Sequence, residues 1–469
     1  SPYYSVKLFI DDNPDLDGKN LSGFDIINFK HLKERIRSID IKTLFLATSF
    51  KTDVMRKNVF DMISDYPMKI KSIPSISSFI GGTLKVEQLK TIKIEDLLGR
   101  EPVEPNNQLL RKNISNKIVL VTGAGGSIGS ELCRQIILSK PQKLILIDIS
   151  EFAIYELFEE LKKHSSIHDF DLVPLIGSVQ DRDFIKKVFD RFMVDTIYHA
   201  AAYKHVPLME QNVIECIKNN VFGTLNIAEL SIAAKVKTFI LVSTDKAVNS
   251  KNFMGASKRI AELICQNLSL QTKDTYFSIV RFGNVLGSSG SVVPLFQKQI
   301  EEGGPITLTH LEVTRYFMTI SEAAQLVIQA GSIAAGGEIF VLDMGKSIKI
   351  LDLAKRMVHL YGHQPVLNKS KNLEDNEIEI NLSGLRPGEK LFEELTYNSN
   401  LIGTIHPHIN TAVETPMKAK ELESLLKAIQ DAIRYNDYQK IFENILKVSQ
   451  DVSYINTSND LFLQKASAR

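Results

Sequence analysis

The sequence predicts an α/β fold built around a doubly wound parallel sheet. Between residues 117 and 400, short runs of β-branched and apolar residues alternate with stretches whose apolar positions recur at helical spacing. A glycine-rich run, residues 122–129, stands directly between one such strand and one such helix. The next strand ends in Asp148, nineteen residues after the last glycine of the run. Together these three observations indicate a strand, a tight turn and a helix at the start of a parallel sheet.

The glycine-rich run is typical of the turn that binds a dinucleotide in the Rossmann fold. Gly123 permits the tight turn, Gly126 lets the backbone approach a pyrophosphate, and Gly129 lets helix and strand pack closely. Ser127 and Ile128 begin a helix whose free N–H groups and positive potential favour phosphate. The sequence therefore predicts a dinucleotide site that includes these five residues. The alternative is a glycine-rich turn that binds no ligand.

The choice between NAD and NADP depends on Asp148. A carboxylate at the end of the second strand hydrogen-bonds the ribose diol of NAD and repels the 2′-phosphate of NADP. The glycine-rich run itself contains no Arg or Lys that would attract this phosphate. We therefore expect NAD as the cofactor.

Composition excludes several classes of protein. The 469 residues carry a net charge of +1, which gives no signature of nucleic-acid binding. Cys133, Cys216 and Cys265 lack metal-type spacing and are expected to be reduced core residues. No apolar run reaches the ~18 residues needed to span a bilayer, and no signal peptide is present. The chain begins at Ser1 without an initiator Met, so we expect any membrane segment to lie outside this sequence.

We predict four blocks along the chain. Residues 1–96 show short strands between polar helical stretches and indicate a partial N-terminal Rossmann-like α/β domain. Residues 97–116, rich in proline and asparagine, are predicted to be a linker that can include a short helix. Residues 117–400 form the predicted dinucleotide-binding domain with a small substrate-binding part. Residues 401–469 are predicted to be a helical segment.

The third strand of the main domain, predicted at residues 196–199, runs into three alanines. Ala200 and Ala201 are small enough for a cofactor to lie against their backbone, so we expect both in the cofactor site. His199 is expected to be a packed strand residue rather than a catalyst. Lys204 and His205 follow in a loop at the same edge of the sheet, where they either contact substrate or belong to a solvated loop.

The fourth strand brings Thr244, Asp245 and Lys246 to the carboxyl edge of the sheet, where ligands bind in open α/β sheets. Met254 and Lys258 follow in a helix and share one face because they are four residues apart. This pair resembles the Tyr-x-x-x-Lys pair of short-chain dehydrogenases/reductases, in which tyrosine takes a substrate hydroxyl proton and lysine binds the nicotinamide ribose. Met254 stands at the tyrosine position, and a thioether has no proton to exchange.

Several motifs resemble the large nucleotide-sugar 4,6-dehydratases of the PglF and WbpM type, within the extended short-chain dehydrogenase/reductases. These motifs are residues 243–249, 253–259, 281–288, 314–318 and 384–390, and the likeness covers nearly the whole chain. The resemblance implies UDP-N-acetylglucosamine as substrate and a 4-keto-6-deoxy sugar nucleotide as product, in glycan or polysaccharide biosynthesis. It also implies a place on the cytoplasmic face of the inner membrane, through anchoring segments absent from this sequence.

The same resemblance implies a homodimer or a higher homo-oligomer. Helical stretches around residues 212–234 and 257–270 are expected to pair with a second subunit in a four-helix contact. No nucleic-acid partner is expected.

The expected reaction needs one base, one acid and a cofactor that ends as it began. Oxidation of carbon 4 by NAD makes the carbon-5 proton acidic; a base removes it, an acid protonates the departing 6-hydroxyl, and hydride returns to carbon 6. We assign Lys246 as the base and Asp245 as the acid, with the reverse assignment left open. Lys246 can act as a base only if its pKa falls, through burial or the charge of Lys258, and an ionised Asp245 opposes that fall. Thr244 is the expected partner of the 4-hydroxyl, with capping of the next turn as the alternative, and the final acceptor of that proton is left open.

A UDP substrate needs positive charge for its diphosphate and contacts to uridine. Arg315 and Arg386 can each make bidentate phosphate contacts. Phe282 and Asn284 follow a cofactor-side strand, so we place Phe282 at the cofactor and Asn284 at the substrate. By resemblance, Glu389 binds the uridine ribose. The alternative for each charged residue is a surface salt bridge.

Two other functions compete with dehydration. A nucleotide-sugar 4-epimerase or reductase of the same fold relies on the missing tyrosine and has no use for Asp245 and Lys246. A non-catalytic dinucleotide sensor also lacks the tyrosine, but it has no need for Thr244, Asp245, Lys246 and the two phosphate arginines.

Overall fold

The computed structural model describes residues 4–32, 34–35, 39, 41–46, 66–72, 90–91, 103–168, 170–368, 373–397 and 400–449. The chain divides into two compact units. The smaller unit comprises Ser1–Glu101, Val292–Leu311 and Ile350–Ser383, and the larger unit comprises Pro102–Ser291, Glu312–Lys349 and Gly384–Arg469. All of the predicted site residues belong to the larger unit.

The described residues form strands and helices that we number in chain order. The strands are β1 (Phe9–Asp11), β2 (Asn20–Leu21), β3 (Phe24–Asn28), β4 (Thr43–Leu46), β5 (Lys69–Ser72), β6 (Lys90–Thr91), β7 (Ile118–Thr122), β8 (Lys143–Asp148), β9 (Asp171–Ile176), β10 (Thr196–His199), β11 (Thr238–Val242), β12 (Tyr276–Arg281), β13 (Asn284–Val285), β14 (Ile306–Leu308), β15 (Thr314–Arg315), β16 (Phe317–Met318), β17 (Glu338–Leu342), β18 (Ile348–Lys349), β19 (Gln364–Leu367), β20 (Glu377–Leu382), β21 (Leu401–Gly403) and β22 (Ile409–Ala412). The α-helices are α1 (Asn107–Lys112), α2 (Ser127–Leu138), α3 (Glu151–His168), α4 (Arg182–Arg191), α5 (Val206–Gln211), α6 (Val213–Ile217), α7 (Gly223–Ala233), α8 (Phe253–Gln271), α9 (Val292–Glu301), α10 (Ile320–Ile333), α11 (Ile350–Leu360), α12 (Ala419–Arg434) and α13 (Tyr438–Leu446). A π-helical segment, Lys218–Phe222, joins α6 to α7, and a 3₁₀ turn, Asp245–Ala247, follows β11.

A nine-stranded sheet forms the centre of the larger unit, in the order β21-β22-β17-β12-β11-β10-β7-β8-β9. The strands from β17 to β9 in this order run parallel. They are apolar on both sides because helices cover both faces: α2, α3 and α10 pack on one face, and α4, α7 and α8 on the other. The predicted doubly wound parallel sheet is confirmed.

The C-terminal part differs from the helical segment that we predicted for residues 401–469. β21 and β22 add two antiparallel strands to the sheet beyond β17, and helix begins only at α12. These strands are short and depend on pairing with β17, far earlier in the chain, so local sequence gives little sign of them. Residues 450–469 lie outside the described residues.

The C-terminal helices pack against two of the helices that we expected to meet a second subunit. Leu422, Leu425 and Ile429 of α12 lie at helical spacing and pack, together with α13, against apolar residues of α6 and α8. The four-helix subunit contact expected for residues 212–234 and 257–270 stays a prediction, and the C-terminal helices cover part of these stretches.

Residues 103–116, part of the predicted linker, pack within the larger unit. Asn106 caps α1 by accepting hydrogen bonds from two of its first amides. Lys112 and Asn113 donate hydrogen bonds to backbone carbonyls near the end of α10, at 2.6 and 2.9 Å. The rest of the predicted linker, residues 97–102, lies outside the described residues.

The smaller unit contains short parallel pairs, β1 with β3 and β4 with β5, and the parallel group β14-β20-β19. Much of the predicted N-terminal domain, including residues 47–65 and 73–89, lies outside the described residues. Residues 292–311 and 350–383, which we placed in the dinucleotide-binding domain, group with this unit instead.

Candidate active site

β7 ends in a turn that leaves no room for side chains. Gly123 has a φ of +65°, and a Cβ added there would lie 2.7 Å from the Cα of Ala201. A Cβ on Gly129 would lie 2.0 Å from the carbonyl oxygen of Gly123. At Gly126 the nearest atom would be 3.3 Å from the added Cβ. Gly123 and Gly129 are therefore required for steric reasons, whereas the steric demand at Gly126 is smaller.

The helix that follows this turn starts without a side-chain cap. Its N-cap residue, Gly126, is exposed and has no side chain to accept hydrogen bonds from the first amides of α2. Ser127 and Ile128 are half-buried, and Ser127 Oγ accepts a hydrogen bond from the amide of Ser289 at 3.1 Å. The uncapped amides and the positive end of the helix dipole suit a pyrophosphate.

Asp148, at the end of β8, lies beside the glycine-rich turn. Its carboxylate accepts hydrogen bonds from the amides of Gly125 at 2.9 Å and Ser150 at 3.0 Å. These bonds fix the orientation of the carboxylate but leave lone pairs for a ribose diol. A turn without side chains, an uncapped helix start and this carboxylate together fit NAD.

β10 ends against the same turn, as predicted. The amide of Ala200 donates to the carbonyl of Thr122 at 3.1 Å. His199 is buried, and the hydroxyls of Thr122 and Thr224 lie 2.6 and 3.0 Å from its two ring nitrogens. Burial, aided by the charge of Lys258, lowers the pKa of His199 to about 3. His199 is therefore a neutral, packed strand residue, which confirms the prediction.

The turn after β11 is bound together by its own side chains. Thr244 Oγ1 accepts a hydrogen bond from the amide of Lys246 at 3.4 Å and donates one to Asp245 Oδ1 at 2.8 Å. Lys246 Nζ donates to the same Oδ1 at 2.9 Å and to Asn284 Oδ1 at 3.1 Å. Thr244 thus caps the 3₁₀ turn, and its hydroxyl proton also points at Asp245. Four of the predicted site residues form one connected group.

Asp245 is the most deeply buried member of this group. It has no exposed surface, and its amide donates to the carbonyl of Phe282 at 3.1 Å. Its Oδ2 has no hydrogen-bond partner among the described residues. Lys246 keeps 20% of its side chain exposed, so Lys246 rather than Asp245 reaches the surface of the site. Phe282 is itself a core residue, only 5% exposed, and supplies a backbone carbonyl to the turn.

The charges around Lys246 oppose the fall in pKa that a base requires. Burial lowers the pKa of Lys246, but the charges of Asp245 and Glu393 outweigh it and raise the pKa above its usual value. The cation that acts against them is Arg315 rather than Lys258, which corrects our expectation. Lys246 can therefore become a neutral base only after Asp245 has taken up a proton.

Met254 and Lys258 differ sharply in their surroundings on α8. Met254 is 2% exposed and packs with Met209 and Cys216 in a small apolar cluster. Lys258 Nζ donates to the carbonyl of Val242, at the end of β11, at 2.8 Å. Burial lowers the pKa of Lys258 to about 8. Met254 therefore contributes packing, whereas Lys258 brings a titratable cation to the edge of the sheet.

Both terminal nitrogens of the Arg315 guanidinium donate hydrogen bonds to other groups of the chain. Its Nη1 donates to the carbonyls of Thr314 and Leu391, and its Nη2 donates to the carbonyl of Lys390 at 2.8 Å and to Glu389 Oε1 at 3.2 Å. A diphosphate would have to displace some of these partners. In the structure Arg315 thus holds residues 389–391 in position through hydrogen bonds, which differs from the phosphate contact that we predicted.

Arg386 and Lys204 are better placed to meet a phosphate. Both are exposed, and neither side chain makes a hydrogen bond within the described residues. Burial and then the charge of Lys246 lower the pKa of Lys204, so these two ammonium groups act on each other. Glu389 Oε2 accepts a hydrogen bond from the amide of Arg386 at 3.1 Å, so Glu389 shapes the turn that presents Arg386.

Glu393, which the sequence did not predict as a site residue, is a buried carboxyl that belongs to the same group. Its Oε1 lies 4.0 Å from Arg315 Nε, and its Oε2 has no hydrogen-bond partner among the described residues. Burial raises the pKa of Glu393, and Asp245 adds to this, against the opposing charges of Lys246, Arg315 and Lys390. The only signal in the sequence was its position just after the 384–390 motif.

A buried ionic network, also missed, lies behind the turn. Arg281 is fully buried at the end of β12 and donates to both oxygens of Glu262, at 2.7 and 2.6 Å, and to Glu414. Arg259 pairs with the same two glutamates at 3.0 and 2.9 Å. Ser243 Oγ donates to Glu262 at 2.7 Å, which ties the network to the residue before Thr244.

Residues 384–397 also fasten the far side of the turn. Tyr397 donates its hydroxyl proton to the carbonyl of Ala247 at 3.0 Å, and Lys390 Nζ donates to the carbonyl of Val248 at 2.9 Å. The turn is therefore held from β12, from α8 and from this later segment. Such a site can hold protons at fixed positions and expose one amine to a ligand.

The described part of the chain lacks two features, a metal-binding cluster and a membrane-spanning helix. No group of His, Cys, Asp and Glu residues there could bind a metal ion. None of its helices is long and apolar enough to cross a membrane.

Comparisons with known proteins agree with this geometry. The family model described as polysaccharide biosynthesis protein matches residues 119–414. The capsular polysaccharide biosynthesis protein CapD of Staphylococcus aureus is 47% identical over 376 residues, which are 80% of this chain and 60% of CapD. The chain thus spans less than two thirds of that relative.

Two further proteins are similar to this chain over most of their own length. A UDP-N-acetylglucosamine 4,6-dehydratase (inverting) of Campylobacter jejuni is 32% identical over 307 residues, which are 63% of this chain and 84% of that protein. The X-ray structure of Pen from Bacillus thuringiensis is similar with a TM-score of 0.57 and 33% identity, covering 65% of this chain and 90% of Pen. With its parallel sheet, glycine-rich turn and connected Thr-Asp-Lys group, the chain belongs to the polysaccharide biosynthesis protein family of extended short-chain dehydrogenases/reductases.

Proposed function

We propose that this chain is an NAD-dependent 4,6-dehydratase that converts UDP-N-acetylglucosamine to UDP-2-acetamido-2,6-dideoxy-4-keto-hexose. The observation that carries the proposal is the connected group of Thr244, Asp245 and Lys246, next to a helix in which Met254 replaces a proton-exchanging tyrosine. The similarity to a protein named as a UDP-N-acetylglucosamine 4,6-dehydratase supports the reaction and the substrate. The product would enter glycan or polysaccharide biosynthesis, as the family description suggests.

NAD is the proposed cofactor. The glycine-rich turn and the start of α2 would hold its pyrophosphate, Asp148 its adenosine ribose, and Lys258 its nicotinamide ribose. When bound, NAD supplies the oxidation of carbon 4 and the later reduction at carbon 6.

Thr244 and Asp245 can together take the proton of the sugar 4-hydroxyl. The Thr244 hydroxyl donates to Asp245 Oδ1 at 2.8 Å, so it can accept the substrate proton while passing its own proton on. Asp245 is then the final acceptor, which fills the gap that threonine alone leaves. Its complete burial is no obstacle, because the hydroxyl of Thr244, which is hydrogen-bonded to it, would carry the proton.

Protonation of Asp245 also prepares the next step. It removes the carboxylate charge that most strongly raises the pKa of Lys246. Lys246, which keeps 20% of its side chain exposed, is the proposed base at carbon 5. The proton on Asp245 is then available, again through the Thr244 hydroxyl, for the departing 6-hydroxyl, so the proton taken from the 4-hydroxyl leaves in the water that is formed.

A 4-epimerase is the second candidate, and the site supports it less well. Epimerisation at carbon 4 involves no proton transfer at carbon 5, so an exposed lysine paired with a buried carboxylate would have no role. Met254 cannot replace the tyrosine on which such an epimerase relies.

The test is incubation of the purified protein with UDP-N-acetylglucosamine in D₂O without added NAD. We expect a 4-keto product that absorbs in strong base, deuterium at its carbon 5, and many product molecules per bound NAD. An isomeric hexose without deuterium at carbon 5 would identify an epimerase. No change in the sugar would identify a binding protein.

A further inference from the structure

The proposed dehydration needs one more proton acceptor than Thr244, Asp245 and Lys246 supply. In the ion pair, Lys246 already carries a proton and Asp245 can accept only one. Once the 4-hydroxyl proton has reached Asp245, neither residue can remove a proton from carbon 5. Either solvent or a third titratable group must therefore take the proton of Lys246.

Glu393 is buried in the position that such a group requires. Its side chain is 5% exposed, and its Oε2 lacks a hydrogen-bond partner among the described residues. Lys246 and Glu393 each act electrostatically on the other. A buried carboxyl oxygen without a hydrogen-bond partner destabilises the fold, and a role in proton acceptance explains why it is kept.

The charged groups around Glu393 come from three parts of the chain. Asp245 and Lys246 lie in the turn after β11, Arg315 lies in β15, and Lys390 precedes Glu393 in the same segment. Asp245 repels a negative charge on Glu393, whereas the three cations favour it. Solvent has little access to this carboxyl, so exchange with Lys246 is favoured over exchange with water.

We propose that Glu393 accepts the proton of Lys246 after Asp245 has been protonated, and so frees the Lys246 amine to act at carbon 5. The inference rests on the proposed dehydratase function. It makes Glu393 a residue that acts through Lys246 rather than on the sugar.

The protons balance over the cycle. An N–H bond of Lys246 breaks as an O–H bond forms on Glu393; the free amine then takes the carbon-5 proton as Asp245 gives its proton to the departing 6-hydroxyl. After carbon 6 is reduced, Lys246 returns its proton to carbon 5 and Glu393 returns its proton to Lys246. The raised pKa of Glu393, caused first by burial, makes it a better acceptor than an ordinary carboxyl.

The adjacent residue offers a matched control, because Glu394 is exposed whereas Glu393 is buried. We would compare Glu393→Gln and Glu394→Gln in rapid mixing with UDP-N-acetylglucosamine, following the absorbance of the reduced cofactor and the 4-keto-6-deoxy product. Glu393→Gln should oxidise carbon 4 at the wild-type rate but form product ~10²-fold more slowly, the size typical of a lost proton transfer. Glu394→Gln should match the wild type in both steps. Normal product formation by Glu393→Gln, or equal slowing of both steps, would overturn the inference.

A second measurement needs no substrate. The folded protein keeps Glu393 protonated at pH values above its usual pKa of 4.5, where the unfolded chain has released the proton, so the wild type loses stability as pH rises through this range. Glu393→Gln does not titrate, so its Tm should exceed that of the wild type by a margin that grows with pH. A margin independent of pH would contradict a titrating carboxyl. Absence of any product from the wild type would instead overturn the proposed function, and the catalytic role of Glu393 with it.

Discussion

Two turns at the carboxyl edge of the same sheet use opposite means to build a site. The glycine-rich turn after β7 excludes side chains and presents backbone amides at the start of α2. The turn after β11 buries a carboxylate and surrounds it with a hydroxyl, an ammonium and a second carboxyl. The first can bind a ligand through its own backbone. The second can do chemistry only with residues from distant parts of the chain, so binding and catalysis have different structural requirements here.

The largest effect should come from the second turn. Lys246→Ala should reduce product formation by ~10²-fold to 10⁴-fold, because the only exposed amine of the connected group is lost. Binding of the UDP-sugar, measured by calorimetry, should stay within a few-fold of the wild type. The exposed Lys237 provides the control, and Lys237→Ala should behave as the wild type. Near-normal turnover by Lys246→Ala would remove this lysine from the mechanism.

Substitutions in the first turn should destabilise the protein through steric clashes rather than through loss of a reacting group. Gly129→Ala puts a methyl group 2.0 Å from the carbonyl oxygen of Gly123, a backbone atom that cannot move freely. We expect a loss of ~1–3 kcal/mol in the free energy of unfolding and loss of NAD from the purified protein. Gly126→Ala, where the closest approach is 3.3 Å, should keep its stability in the same denaturant titration. Equal stability of the two variants would show that the turn can adjust.

A pH series tests the cofactor side of the site through Lys258 of α8. Lys258 is cationic below its pKa of about 8 and neutral above it. Its favourable contact with the nicotinamide ribose should therefore be complete at lower pH and weaken as pH rises through about 8. NAD affinity, measured by fluorescence titration, should fall over this range in the wild type and stay flat in Lys258→Gln. A wild-type affinity that does not change with pH would exclude this role of Lys258.

The smallest effect should come from Met254, which packs in an apolar cluster outside both turns. Met254→Leu conserves volume in the apolar cluster with Met209 and Cys216, so stability should change by less than ~1.5 kcal/mol. Met254→Tyr should not raise turnover, because Thr244 and Asp245 already provide a route for the 4-hydroxyl proton. A gain of ~10²-fold in Met254→Tyr would show that the site still works as an impaired tyrosine enzyme.

The two turns also differ in how far the sequence predicts them. Gly123 is required by its own positive φ as well as by its contact with Ala201, and Gly129 by its contact with Gly123, so the local glycine spacing already indicates the turn. Thr244, Asp245 and Lys246 are adjacent in the chain and were likewise predictable as a group. Their environment was not.

The missing parts all depend on contacts distant in sequence. Glutamate is a residue type usually found exposed in helices and loops, and only folding brings Glu393 close to Lys246. Arg315 carries the charge of a phosphate-binding residue, but carbonyls 75 and 76 residues further along take its donors. β21 and β22 are recognisable only beside β17. In each case the role depends on a contact partner that lies far away in the sequence.

The ionic network behind the second turn bears on how the protein is made. Arg281 and Glu414 are 133 residues apart, so Arg259 and Arg281 leave the ribosome well before Glu414. Without Glu414, folding the network would leave two guanidinium groups to share the single carboxylate of Glu262, an arrangement that the protein interior disfavours strongly. We therefore expect the first turn to form before the second during synthesis. A fragment that stops before Glu414 would contain every residue of the proposed site and still lack the counter-charge that lets the site close.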